Sequence, residues 1–225
     1  MKNCPARNKY SMDALWKKED FYCKVCFKKI NNVSFYNFMN KDLCLCDSCM
    51  NKISAKFRYF KLGNVSGLSV FEYDEELKKL IYEFKGCYDI ELERVFLERY
   101  IKELRLLYSG YDLIPAPSFE EDDEKRGFNH VIKIFSVLNL NFIPCIKKTS
   151  PFKQASHKSN ERSEVGKHLI IENGKFLKNK KILLVDDVYT TGSTMQAMIN
   201  LIKPYKPKTI KMLVISKTVL KEQDT

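Results

Sequence analysis

Apolar positions divide the chain into three blocks. Up to about residue 61 they follow no helical period, and cysteine and lysine dominate. From Tyr73 onward the pattern sharpens. Leu77, Leu80, Ile81 and Phe84 recur at i, i+3, i+4 and i+7, which predicts an amphipathic helix ended by Gly86. A second helix is predicted over Ile90–Leu107. Tyr111–Ile114 predicts a short buried strand stopped by Pro115. The third block begins at Asn129. It predicts a helix over 129–138, a strand over Lys181–Val185, a helix over Ser193–Ile202 and a strand over Thr209–Ile215. Strands alternating with helices predict an α/β domain with a mostly parallel sheet. The boundary falls between a small module over 1–61 and this domain over 62–225. The acidic run Glu120-Glu121-Asp122-Asp123-Glu124 interrupts the pattern and reads as a solvated loop.

Composition changes this picture in two places. No stretch approaches 18 consecutive apolar residues, so a membrane span is not expected. The N-terminus lacks the apolar core of a secretory signal, so a cytoplasmic location is expected. Six of the eight cysteines precede residue 50, and clustered cysteines in such a chain suggest metal before disulfides. Cys23-x2-Cys26 and Cys46-x2-Cys49 are separated by nineteen residues. Two such pairs supply four thiolates from two tight turns, the donor set of a closed, structural Zn2+ site. Cys44 competes with Cys46 but breaks the two-residue spacing. Cys4, Cys87 and Cys145 read as ordinary thiols.

The net charge of +11 favours partners that carry phosphate, although a biased composition gives the same excess. Around the cysteines, Lys24, Lys28, Lys29, Lys41, Lys52, Lys56 and Arg58 interleave with Phe21, Tyr22, Phe27, Phe35, Tyr36, Phe38, Phe57, Tyr59 and Phe60. Cations among aromatics suit single-stranded nucleic acid. For most of these rings a small core around the metal is the simpler expectation.

The most specific segment is Val185-Asp186-Asp187-Val188-Tyr189-Thr190-Thr191-Gly192-Ser193-Thr194. Ile182–Val185 is apolar on both faces, as a central parallel strand requires. Two carboxylates follow where α/β sheets hold their ligands. Gly192 lets backbone approach a phosphate. Amides and hydroxyls of Thr190, Thr191, Ser193 and Thr194 offer donors at a helix N-terminus. Asp186 and Asp187 can accept from two ribose hydroxyls and support positive charge on the sugar. The segment is built for a ribose 5-phosphate.

VDDVYTTGST resembles the signature of the type I phosphoribosyltransferases. Several further pieces resemble the ComF family of late-competence, phosphoribosyltransferase-like proteins. Leu113-Ile114-Pro115-Ala116-Pro117-Ser118 is similar to its pyrophosphate loop. Arg126-Gly127-Phe128-Asn129 is similar to its RGFN motif. Gln154 with Glu161-Arg162 is similar to its Q…ER spacing, and Lys85-Gly86 to its FK-x-G element. That family also begins with a four-cysteine zinc module. The chain departs from the family at His130, usually Gln, at Lys147, often Arg, at Glu164, usually an approach to Asn, and in the acidic run before Arg126.

The resemblance implies a type I phosphoribosyltransferase fold with a small N-terminal zinc module. It implies phosphoribosyl pyrophosphate with Mg2+ as ligand. Asp186 and Asp187 would be the catalytic pair, and Thr190–Thr194 would bind the phosphoribosyl group. Ala116, Pro117, Ser118 and Arg126 would meet the pyrophosphate, and Cys23, Cys26, Cys46 and Cys49 would hold Zn2+. Lys147, Lys148, Lys153 and Arg162 are further candidates to face pyrophosphate. The family association implies a role in DNA uptake during natural transformation, with contact to single-stranded DNA and the uptake machinery. A salvage transferase acting on a free base, and a regulatory binder without turnover, are the alternatives.

Overall fold

The computed structural model describes residues 21–30, 44–149 and 169–218. Gln154, Lys153, Glu161, Arg162, Glu164, Lys41, Phe35, Tyr36, Phe38 and Cys4 lie outside the described residues. The chain forms two compact units, Met1–Cys49 and Met50–Thr225. Among the described residues, no helix is long and apolar enough to cross a membrane.

The larger unit is built on a five-stranded sheet. β1 (Arg58–Leu62) and β2 (Val65–Glu72) form an antiparallel hairpin turned at Gly63, whose φ is 56°. β2 then runs parallel to β7 (Thr209–Lys217), β7 to β6 (Lys181–Tyr189), and β6 to β3 (Tyr111–Pro115). A two-stranded ladder, β4 (Ile146–Lys148) with β5 (Leu169–Ile171), stands apart from this sheet. The hairpin has no counterpart in the predicted elements. The rest gives the mostly parallel α/β sheet expected.

Helices cover both faces. α1 (Asp47–Lys52) begins in the smaller unit. α2 (Glu75–Gly86), α3 (Ile101–Leu107), α4 (Glu120–Arg126), α5 (His130–Ser136) and α6 (Ser193–Ile202) follow. α6 buries Met195, Met198, Ile199 and Ile202 against Ile114, Ile182, Leu184, Met212 and Val214. Strand side chains alternate between faces, so Leu183, Val185, Leu213 and Ile215 serve the opposite side. There α5 packs on β6. α2 turns Leu77, Leu80, Ile81 and Phe84 inward, its start fixed by Asp74, which accepts from the Leu77 N–H at 2.9 Å.

Three expectations change. The helix predicted over Ile90–Leu107 breaks into 3-10 turns at Ile90–Leu92 and Glu98–Tyr100 before α3. Val95, Phe96 and Leu97 are all buried in succession, which one face of a regular helix cannot provide. The acidic run is α4 and not a loop. Its carboxylates sit at the positive end of the helix dipole. Gly127, left-handed at φ 79°, closes it with an N–H bond to the Glu124 carbonyl. Finally, β6 continues four residues past Val185, because its ladder with β7 extends to Tyr189 and Lys217.

Phe84 joins these parts. Its ring is 5.5 Å from that of Phe96 and 5.2 Å from that of Phe128, so it connects α2, the irregular segment and the turn before α5. Phe84→Ala is expected to cost about 3–5 kcal/mol. A urea titration should show a lower midpoint with an unchanged slope.

Candidate functional site

The extension of β6 decides where the acid pair points. Asp186 and Asp187 are neighbours near the carboxyl end of the strand, and both reach one cavity there, but only Asp187 is buried. Asp187 goes to the side of α2 and α5 and is buried. Its Oδ2 accepts from Lys85 Nζ at 3.0 Å, and His130 Nε2 stands 3.4 Å away. Its Oδ1 accepts from the Val188 N–H at 2.7 Å. Asp186 is half-buried and accepts from the Asp187 N–H at 2.9 Å.

The two carboxylates are therefore not equivalent. Burial works against the Asp187 charge, but the His130 hydrogen bond and the Lys85 ammonium outweigh it and hold its carboxyl far below the usual range. Burial, then the neighbouring Asp187 charge, push Asp186 well above the usual range. The surroundings therefore push the two carboxyls in opposite directions.

The RGFN segment becomes intelligible as local structure. Arg126 donates from Nε to the Lys85 carbonyl at 3.1 Å, and from Nη1 to Asp123 at 2.9 Å and to His130 Nδ1 at 3.2 Å. Gly127 supplies the left-handed turn and Phe128 the ring against Phe84. Asn129 caps α5 by accepting from the Ile132 N–H at 2.9 Å. Its amide also donates to Ser118 and to Asp123, each at 2.7 Å, and the Ser118 hydroxyl bonds Asp123. Asp123, inside the run expected to be a solvated loop, thus ties the Pro115–Ser118 segment to Arg126.

Beyond β6 the chain turns into α6. Gly192 is left-handed at φ 79°, and an added Cβ would lie 2.2 Å from the Tyr189 hydroxyl, so no other residue fits there unstrained. The hydroxyls of Thr191 and Ser193 bond each other at 2.8 Å. A helix start with exposed hydroxyls and a close-approach glycine offers donors of the kind an anion can use.

Asp186, Asp187, Ala116, Pro117, Ser118, Arg126 and Thr194 line one cavity of about 220 Å³. Thr190 instead lines a neighbouring cavity of about 680 Å³, which shares Asp187 and Lys85 and is walled by Tyr73 and Tyr82. Thr191, Gly192 and Ser193 form the loop between. The two lysines of β4 separate. Lys147 pairs with Glu172 at 3.0 Å. Lys148 enters the smaller cavity with its Nζ 4.7 Å from the Phe119 ring centre. Burial, with the Lys85 charge adding to it, pushes the Lys148 ammonium below its usual range, against the pull of Asp186.

Sequence reasoning missed what Lys85 and His130 do. Lys85 and Asp187 are 102 positions apart, so no local pattern joins them.

In the smaller unit, the sulfurs of Cys23, Cys26, Cys46 and Cys49 all lie within 4.8 Å of one another. Cys26 and Cys46 are 3.6 Å apart, close to the roughly 3.8 Å between thiolates around a tetrahedral zinc, and all four are free of disulfides. The Phe27 N–H bonds the Cys23 carbonyl at 2.8 Å, and the Lys24 N–H bonds the Cys44 carbonyl at 2.8 Å. Cys44 thus joins the two turns through its backbone, and its thiol is not one of the four. The Lys28 N–H draws the Cys26 thiol down to about 7, whereas burial pushes Cys46 and Cys49 up. Four thiols packed this closely, two of them buried, suit a central cation that compensates their charge. Phe27 is 72% exposed, Tyr22 52% and Phe21 39%, so these three rings face outward, whereas a small core was expected of most of the aromatics.

The Phosphoribosyl transferase domain family matches residues 128–222. The chain is 25% identical over 214 residues to competence protein ComFC of Streptococcus pneumoniae, covering 84% of this chain and 96% of that protein. It is 37% identical over 81 residues to an adenine phosphoribosyltransferase of Christiangramia forsetii, covering 36% of this chain and 47% of that protein; it spans about half that enzyme's length. A hypoxanthine phosphoribosyltransferase structure from Staphylococcus aureus overlays with a TM-score of 0.37 and 13% identity, covering 60% of this chain and 77% of that one. The chain thus carries a phosphoribosyl transferase domain on a mostly parallel α/β sheet, with a four-cysteine cluster before it, and over most of its length it is similar to a competence protein of the ComF kind.

Proposed function

We propose that the larger unit binds phosphoribosyl pyrophosphate. The observation that carries this is the meeting, around one cavity, of the acid pair, the end of the Thr190–Thr194 loop and the Pro115–Ser118 loop. The 5-phosphate would sit on the amides and hydroxyls of Thr190, Thr191, Gly192, Ser193 and Thr194. Asp186 and Asp187 would meet the ribose hydroxyls. Ala116, Pro117 and Ser118 would line the pyrophosphate position. Lys148 would face it as a point charge, and Arg126 would offer what its protein partners leave of its five donors. Mg2+ would arrive with the pyrophosphate, whose oxygens and the half-buried Asp186 are the hard donors it takes. When bound, it would neutralise charge on the leaving pyrophosphate. The larger cavity behind Asp187 is the room available to an acceptor.

The protein is further proposed to act in DNA uptake in natural transformation, in the cytoplasm. Support comes from the competence relative, alike over most of both chains, and from exposed Phe21, Tyr22 and Phe27 beside Lys24, Lys28 and Lys29. Rings that bases can stack on, next to phosphate-binding cations, suit single-stranded DNA. The four cysteines would hold one structural Zn2+ with no open coordination position. The alternative is a salvage transferase acting on a free base, supported by the likeness to adenine phosphoribosyltransferases over a shorter stretch.

Calorimetry with phosphoribosyl pyrophosphate and Mg2+ should show saturable binding, and Asp186→Ala with Asp187→Ala should abolish it. The single changes should differ. Asp187→Asn leaves Lys85 and His130 without their anion and should lower the unfolding midpoint. Asp186→Asn should leave the midpoint within about 0.5 kcal/mol of the parent and weaken only the ligand. Equal effects on stability would contradict the asymmetry.

Protein purified under reducing conditions should carry one zinc per chain. Cys46→Ser should release it and unfold the smaller unit; metal analysis and circular dichroism check both. Single-stranded oligonucleotide binding should weaken steeply as salt rises, and Phe27→Ala should reduce it without changing phosphoribosyl pyrophosphate affinity. Pyrophosphate release in the presence of free bases would favour the salvage reading.

A further inference from the structure

His130 is buried between two charged partners that face it from different elements. Arg126, at the end of α4, presents Nη1 to His130 Nδ1 at 3.2 Å. Asp187, on β6, presents Oδ2 to His130 Nε2 at 3.4 Å. A guanidinium has only donors. His130 Nδ1 must therefore be the acceptor in that contact and carry no proton. The remaining ring proton is on Nε2, where it can donate to Asp187. The tautomer is set by which partner stands at which nitrogen.

This arrangement extends in both directions. Arg126 is itself oriented by Asp123 and the Lys85 carbonyl, and Asp123 also receives Ser118 and Asn129. Asp187 takes its other bonds from Lys85 and the Val188 N–H. One oxygen of Asp187 is thus fully engaged on the α2 and α5 side. The other oxygen keeps one acceptor position beyond its backbone bond, since a carboxylate offers about four in all. The direction in which that last position points is fixed by the bonds that hold the other side.

We propose that His130 is a positioning residue for ribose recognition: held by Arg126 as a neutral imidazole with its proton on Nε2, it aims the Asp187 carboxylate at a sugar hydroxyl. This rests on the reading that Asp187 meets the ribose. Gln in place of His130 can reproduce both contacts, because its amide carries an acceptor oxygen for Arg126 and donor hydrogens for Asp187. Leu fills similar space and reproduces neither.

The test compares two probes by calorimetry, ribose 5-phosphate and tetrahydrofurfuryl phosphate, which keeps the ring and the phosphate but has no hydroxyls. The parent protein is expected to prefer ribose 5-phosphate. His130→Leu should narrow that preference about tenfold, the loss of one hydrogen bond to a charged group, while affinity for the hydroxyl-free probe stays the same. His130→Gln should restore the preference. A preference unchanged in His130→Leu, or an equal loss for both probes, would overturn the proposal. If the parent itself shows no preference, the ribose reading fails, and that outcome is distinct. A measurement on the unaltered protein stands even where His130→Leu does not fold. Nitrogen NMR of the three histidines should show one neutral ring protonated on Nε2 and bonded at Nδ1. A His130 ring protonated at Nδ1 would sink the idea.

Discussion

A buried carboxylate is the constraint around which this domain is arranged. Asp187 lies inside a β-strand, next to the apolar floor of the sheet, where an unpaired charge would cost several kcal/mol. The protein answers with an ammonium from α2, an imidazole from α5 and a backbone N–H from its own strand. Each donor must then be held in turn. Arg126 bonds the carbonyl of Lys85 and the ring of His130, so both side-chain partners of Asp187 are fixed by one guanidinium. Asp123 neutralises that guanidinium and fastens the Pro115–Ser118 loop through Ser118 and Asn129. The result is a polar network whose members satisfy one another, the condition under which buried polar groups rigidify a fold.

The same constraint separates the roles of the acid pair. A ligand that meets Asp187 meets an anion already committed to three donors. A ligand that meets Asp186 meets a carboxyl whose charge is disfavoured by burial and by its neighbour. The glycine of the following loop adds a steric restriction of a different kind. Gly192 must be left-handed and must leave room for the Tyr189 hydroxyl. Tyr189 in turn packs on Phe60 of the edge hairpin with ring centres 4.8 Å apart. The Thr190–Thr194 end of the site is therefore supported from β1, and the Pro115–Ser118 side from α4 and α5.

Sequence by itself determined the strongest local features of this protein. The i, i+3, i+4, i+7 spacing of Leu77 to Phe84 marked α2, because burial of one helical face leaves that period. The apolar run before Asp186 marked the central strand, and the small, hydroxylated turn after it marked the passage into α6. Two CxxC pairs marked a cluster whose four sulfurs do converge. These signals are local, or repeat at a fixed spacing, so they survive in one dimension. Tertiary structure decided the rest. Whether residues 186–189 remain strand depends on β7, which is distant in sequence, and that packing makes Asp187, and not Asp186, the buried carboxylate. The acidic run became a helix because Gly127 caps it and Arg126 holds it. His130 and Lys85 acquired their partners only when α2, α4, α5 and β6 were packed together, since electrostatic partners are selected by proximity in space and leave no period along the chain.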